Sequence, residues 1–166
     1  MKNFVIFTLI FLQILSQNVV AQIIDSAFFE WTVYELQEDD FEERKCYIIA
    51  HPKKSETSQT SRSKPYIIIT RYQNQRIEEF GINSGFEYKI NGKVFVLIDE
   101  MKFELPTNKD MAWARNKDED VAIIQKMLLS AKVKVRSDSA IGTFAIDEYS
   151  LKGIAKAYSR MRNICK

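Results

Sequence analysis

Five side chains are chemically distinctive: Cys46, Cys165, His51, Trp31 and Trp113. Redox cysteine pairs usually lie close together, as in C-x-x-C, whereas these two sit near opposite ends of the chain. One structural disulfide is the simpler reading, worth on the order of 4–5 kcal/mol at most in the chain-entropy model. His51 is the only histidine and precedes Pro52 at the mouth of a polar segment. A lone imidazole cannot build a zinc site, and a triad would need a nucleophile and an orienting acid that the sequence does not place. A surface or strand-end position is expected for it. Glu38, Asp39 and Asp40 form an acidic cluster without the alternating oxygen ligands or the central glycine of a calcium loop. The five glycines are dispersed and make no phosphate-cradling loop. Two carboxylates suited to glycoside hydrolysis would be compatible with the composition, but nothing singles out a pair. The expectation is a protein that is not an enzyme, with no metal and no cofactor.

Trp113 lies between Ala112 and Ala114, and the small flanks suggest an indole packed flat on a sheet. An exposed aromatic recognition patch is the sharper alternative. Charge is segregated along the chain. Glu30 to Glu43 carries acids and no basic residue, while Lys53, Lys54, Arg62 and Lys64 follow. Two solvated loops explain this blandly; an electrostatic docking surface drawn from Glu38, Asp39, Asp40, Lys53, Lys54 and Trp113 is the functional alternative. The formal charge of +2 lacks the basic excess that nucleic-acid binding demands.

The elements that would hold these residues follow an export leader. Lys2 precedes a largely apolar Phe4–Leu15, and Val19 and Ala21 suit a signal peptidase, so cleavage after Ala21 is expected. A retained anchor is the rival, although Ser16–Asn18 breaks the apolar run well short of the ~20 residues of a spanning helix. Residues 22–166 then form one domain, exported to the periplasm or cell surface, with no stable membrane span after cleavage. Export also makes the disulfide chemically natural.

Strands are expected at Phe28–Leu36, Cys46–Ala50 and Tyr66–Tyr72, with Gln37–Arg44 an acidic connection and His51–Lys64 a mobile polar loop. Gly81–Gly85 reads as a turn. Asn91-Gly92 predicts a hairpin joining Phe86–Ile90 to Lys93–Ile98. Asp99-Glu100 leads into Met101–Leu105, which Pro106 ends, and Met111–Ala114 is a short strand. The period then changes: Asp118–Ser130 reads as a helix with acids in its first turn. Lys132–Arg136 and Thr143–Ile146 are expected to pair. A last helix should begin near Ser150 and carry Leu151, Ile154, Ala155, Tyr158 and Met161 on its inner face. Cys165 falls one turn beyond Met161, facing the sheet. The fold class is mainly β (α+β), an antiparallel β-sandwich or barrel-like domain with two packed helices, the second C-terminal.

Several of these segments resemble the invasion-associated locus B family of exported alphaproteobacterial proteins. They are the aromatic strand with Trp31, Cys46 opening a strand before a proline-containing loop, and Ala112-Trp113-Ala114. The helix with Asp120 and Met127 follows, then Gly142-Thr143 and Asp147 to Gly153, then a helix with Ala157 that closes on Cys165. Members close to the founding protein carry further cysteines that this chain lacks, so it looks like a reduced-cysteine branch of that pattern. The resemblance implies an exported protein linked to entry into host cells, and brings no catalytic residues. The preferred reading is a non-enzymatic interaction role with a protein or envelope partner, its oligomeric state unread. The alternatives are an envelope-maintenance factor without host contact and a carboxylate-dependent hydrolase.

Overall fold

The structure, a computed structural model, describes residues 21–37, 45–73 and 77–166. The expected leader thus lies outside the described residues except for Ala21. So do Glu38, Asp39 and Asp40.

The chain opens with β1 (Ala21–Phe28) and β2 (Trp31–Gln37), an antiparallel hairpin turned through Phe29, whose φ is 57°. The single strand expected at Phe28–Leu36 is therefore a turn plus the second arm of this hairpin. Next come β3 (Lys45–Ala50), β4 (Lys54–Thr57), β5 (Tyr66–Tyr72) and β6 (Glu78–Asn83). A hairpin of β7 (Lys93–Ile98) and β8 (Met101–Asn108) turns at Asp99, as the sequence suggests, and β9 (Met111–Trp113) follows. Helix α1 (Lys117–Leu128) leads to β10 (Lys132–Asp138) and β11 (Phe144–Ser150), which pair as expected, and α2 (Ile154–Ile164) closes the fold.

All strand pairs are antiparallel, in the order β1-β2-β3-β5-β6-β9-β8-β7-β10-β11-β4. This is a mainly β fold with two packed helices, the second C-terminal, and an open sheet of sandwich or barrel-like character. Strand β8 links its two halves: Met101–Pro106 pairs with β7, then Thr107 and Asn108 pair with β9. Pro106 therefore marks the change of partner rather than the strand's end, a position where a missing N–H is tolerated. Alternating residues build the core. Trp31, Val33, Ile48, Ile67, Ile69, Phe80 and Ile82 from one half are buried with Val94, Val96, Val133, Val135 and Tyr149 from the other. The Trp31 indole also crosses to the far half, donating to the Ser150 carbonyl at 3.1 Å.

Three further expectations change. Phe86–Ile90 is not a strand of the β7 hairpin. The Asn91-Gly92 turn forms, with the Gly92 N–H returning to the Lys89 carbonyl at 2.7 Å. The segment before it is claimed elsewhere: the Tyr88 and Lys89 N–H groups reach the Lys109 and Asp138 carbonyls. Gly81 is not a turn residue but sits within β6, where a Cβ would come within 2.5 Å of the Trp113 ring. The helix expected near Ser150 starts later, capped by Gly153 at φ 94°. There a Cβ would strike the Phe28 carbonyl oxygen, so glycine is required both for the backbone and for the close approach.

Helix α1 is set by Asn116, whose side chain accepts the Glu119 N–H at 3.0 Å while the Glu119 carboxylate takes the Arg115 N–H at 2.6 Å. It packs on β6, and α2 packs on β1, β2 and β3 through Ile154, Ala157 and Met161. Cys165 then reaches Cys46: the two are disulfide-bonded with Cα atoms 5.8 Å apart, within the ordinary span of such a bridge.

Candidate functional site

The segment expected to be a mobile loop, His51–Lys64, is instead built into the molecule. Lys54–Thr57 pairs with Glu148–Ala145 of β11 as an edge strand. Its Ser/Thr-rich composition suits a strand exposed on both faces, and its anchor is polar rather than apolar. The Arg62 guanidinium forks onto Asp147, with Nη1 2.8 Å from Oδ2 and Nη2 2.6 Å from Oδ1. Ser55 donates to the same carboxylate at 2.6 Å, and Arg62 also reaches the Ser84 carbonyl at 2.9 Å. Asp147 is fully buried. The carboxylate holds the Arg62 pKa above its ordinary value, chiefly through these hydrogen bonds. Tyr88 sits behind, accepting the Ser84 N–H at 2.9 Å, and burial pushes its phenol up. This network fastens the β4–β5 connection to β11 and to the end of β6.

A second polar cluster holds α2. The Glu78 carboxylate meets Arg71 Nη1 at 2.6 Å, Arg162 Nε at 3.3 Å and the Tyr158 hydroxyl, while Arg71 Nε reaches the Cys165 carbonyl at 3.1 Å. Burial and then the Glu78 carboxylate raise Tyr158 to about 12.

Two of the surface clefts among the described residues have distinctive chemistry. The first lies on the outward face of β8, β7, β10 and β11, whose cross-strand rows follow from the register. One row runs Lys102, Leu97, Lys134, Glu148, Lys54; the next runs Glu104, Phe95, Arg136, Ile146, Glu56. Phe95, Leu97 and Ile146 floor a groove of about 410 Å³ rimmed by Lys102, Lys134 and Arg136. Lys102 Nζ lies 4.1 Å from the Phe95 ring centre, so even the apolar floor has a cation over it. Glu104 is shared by Lys93 and Lys102, and Glu148 by Lys132 and Lys134. The second cleft is smaller and lined by Glu79, Trp113, Ala114 and Asp120.

The residues singled out from the sequence are scattered over this frame. Lys53 is exposed and pairs with Glu30 at 2.7 Å, and Lys54 opens β4. Trp113 lies in β9, in the other half of the sheet, with its ring close against Gly81. His51 Nδ1 is 2.7 Å from the Pro65 carbonyl oxygen. Sequence reading missed Phe95, Leu97 and Ile146, whose phase in period-2 strands was the available signal. It also missed Glu79 and Asp120, which come together where α1 packs on β6 and Asp120 takes the Phe80 N–H. Among the described residues no group of three or more His, Cys, Asp or Glu side chains could hold a metal, and no helix is long and apolar enough to cross a membrane.

No family model matches this chain, and no curated protein matches it in sequence. Its fold is similar to the crystal structure of invasion associated protein B from Bartonella henselae, with a TM-score of 0.55 at 11% identity, over 84% of this chain and 96% of that one.

Proposed function

We propose that the chain is an exported, non-enzymatic interaction protein of an alphaproteobacterium, in the periplasm or at the cell surface. Its docking surface is the outward face of β8, β7, β10 and β11. The groove over Phe95, Leu97 and Ile146 carries this reading. Six cations (Lys54, Lys93, Lys102, Lys132, Lys134, Arg136) share the face with Glu56, Glu104, Asp138 and Glu148, leaving positive charge uncompensated around an apolar floor. A protein segment pairing acidic residues with an apolar anchor matches both properties. The disulfide and the likeness to the Bartonella protein support export and, more finely, a role in host-cell invasion.

An envelope factor without host contact would use the same face, and fractionating the bacterium into periplasm, outer membrane and medium separates the two. A hydrolase has one observation in its favour, the meeting of Glu79 and Asp120 in one cleft, and the cleft's small size against it. The docking face is tested by placing a photo-crosslinking residue at Leu97 in the living bacterium. One discrete protein adduct is expected, lost when Lys102→Glu and Lys134→Glu are combined. No adduct, or the same adduct from exposed Lys156 on α2, would remove the face from consideration.

A further inference from the structure

The cleft on the other half of the sheet has its own chemistry, independent of the docking face. Glu79 comes from β6, Trp113 and Ala114 from the end of β9, and Asp120 from the first turn of α1, around a space of about 290 Å³. Tyr72 donates its hydroxyl to Glu79 Oε2 at 3.0 Å. Asp120 is 7% exposed. Its Oδ1 accepts the Phe80 N–H at 2.7 Å, and its Oδ2, which takes no hydrogen bond among the described residues, keeps contact with solvent. The nearby Glu119 carboxylate is engaged by Arg115, and no basic side chain lines the cleft. A largely buried carboxylate with one solvent-accessible oxygen, a second carboxylate and an indole ring thus share one cleft without a counter-charge in its lining.

We propose that this cleft binds a small alkylammonium group, seated against the Trp113 ring and held by the Glu79 and Asp120 carboxylates. Two carboxylates in a cleft that no basic side chain lines favour a cation, and the indole is the best aromatic partner for one. A hard metal ion is disfavoured, because two carboxylates fall short of the six or more oxygens calcium takes, and no larger ligand cluster exists among the described residues. A glycan is disfavoured by size: the space lies at the bottom of the usual pocket range and does not admit the two sugar rings that flank a glycosidic bond. A single ammonium with its methyl or methylene groups fits.

The test is a titration of the full chain at pH 7.5, followed by the indole N–H resonances. Tetramethylammonium and ethylammonium chlorides are the probes, with sodium chloride and glucose as controls at matched ionic strength. A saturable shift of the Trp113 signal is expected with at least one ammonium, while Trp31, fully buried, stays in place. Preference for tetramethylammonium would point to a quaternary headgroup, and preference for ethylammonium to a primary amine. Glu79→Gln keeps an acceptor for Tyr72 and should weaken binding about tenfold; Asp120→Asn should do the same. The proposal is overturned by no saturable shift, by an equal shift with sodium or glucose, or by unchanged affinity in a Glu79→Gln protein whose circular dichroism is native.

Discussion

Asp120 takes the Phe80 N–H where β9 has already ended, so a side chain completes the edge of β6. Burial, then the charges of Glu79 and Glu119, lift its carboxyl from 3.8 to about 6, against the opposing pull of that N–H. The folded chain therefore holds this proton more tightly than the unfolded chain does. The associated stability is fully present below about pH 4 and is lost as the pH rises through 6, and a gap of that size corresponds to roughly 2–3 kcal/mol. Asp120→Asn, whose amide oxygen can still accept the Phe80 N–H, should flatten stability between pH 4 and 7, measured as urea midpoints. A pH dependence as steep as that of the unmodified protein would show that Asp120 is not its source.

Among elements, β4 depends most on a single contact. Arg62 and Asp147 are both largely desolvated, and removing one partner strands the other's charge. Asp147→Ala should cost about 3–5 kcal/mol, with Arg62→Met plus Asp147→Leu recovering much of it. Hydrogen exchange should also quicken across Lys54–Thr57 in the single variant. Unchanged protection there would mean that backbone pairing with β11 holds the strand alone. None of this was legible beforehand, because Arg62 and Asp147 lie 85 positions apart and the strand has no buried side chain. The elements that could be read were β5, from its continuous apolar run, and those with a strong internal period or turn signal: the β7–β8 hairpin, β10 with β11, and both helices. Those that could not were set by residues without turn chemistry. Phe29 and Lys109 hold left-handed backbones where glycine or asparagine would have announced a turn. The cleft was hidden by sequence distance, since α1 brings Asp120 onto Phe80 from 40 positions away.

For the whole molecule, the Cys46–Cys165 bridge sets how the last helix is retained. Helix α2 lies against β1, β2 and β3, with Arg71 and Glu78 gripping its end beside the bridge. Reducing the disulfide, or replacing both cysteines by alanine, should lower unfolding free energy by up to about 4–5 kcal/mol. Because the Arg71 and Glu78 contacts persist, the folded secondary structure should survive, read as unchanged far-ultraviolet circular dichroism at 25 °C. Loss of the helical signal on reduction would mean that the bridge, and not the packing, seats α2.

The same bridge turns the polypeptide from Cys46 to Cys165 into a covalent ring, with the β1–β2 hairpin outside it. A ring cannot pass through a narrow pore in single file as a linear chain does. Any threading step in the life of this protein must therefore come before the sulfurs join, and any crossing after that moment must move a folded body or a doubled strand. A single cut anywhere inside the ring also leaves both pieces tethered, so cleavage alone sheds nothing until a reductant arrives.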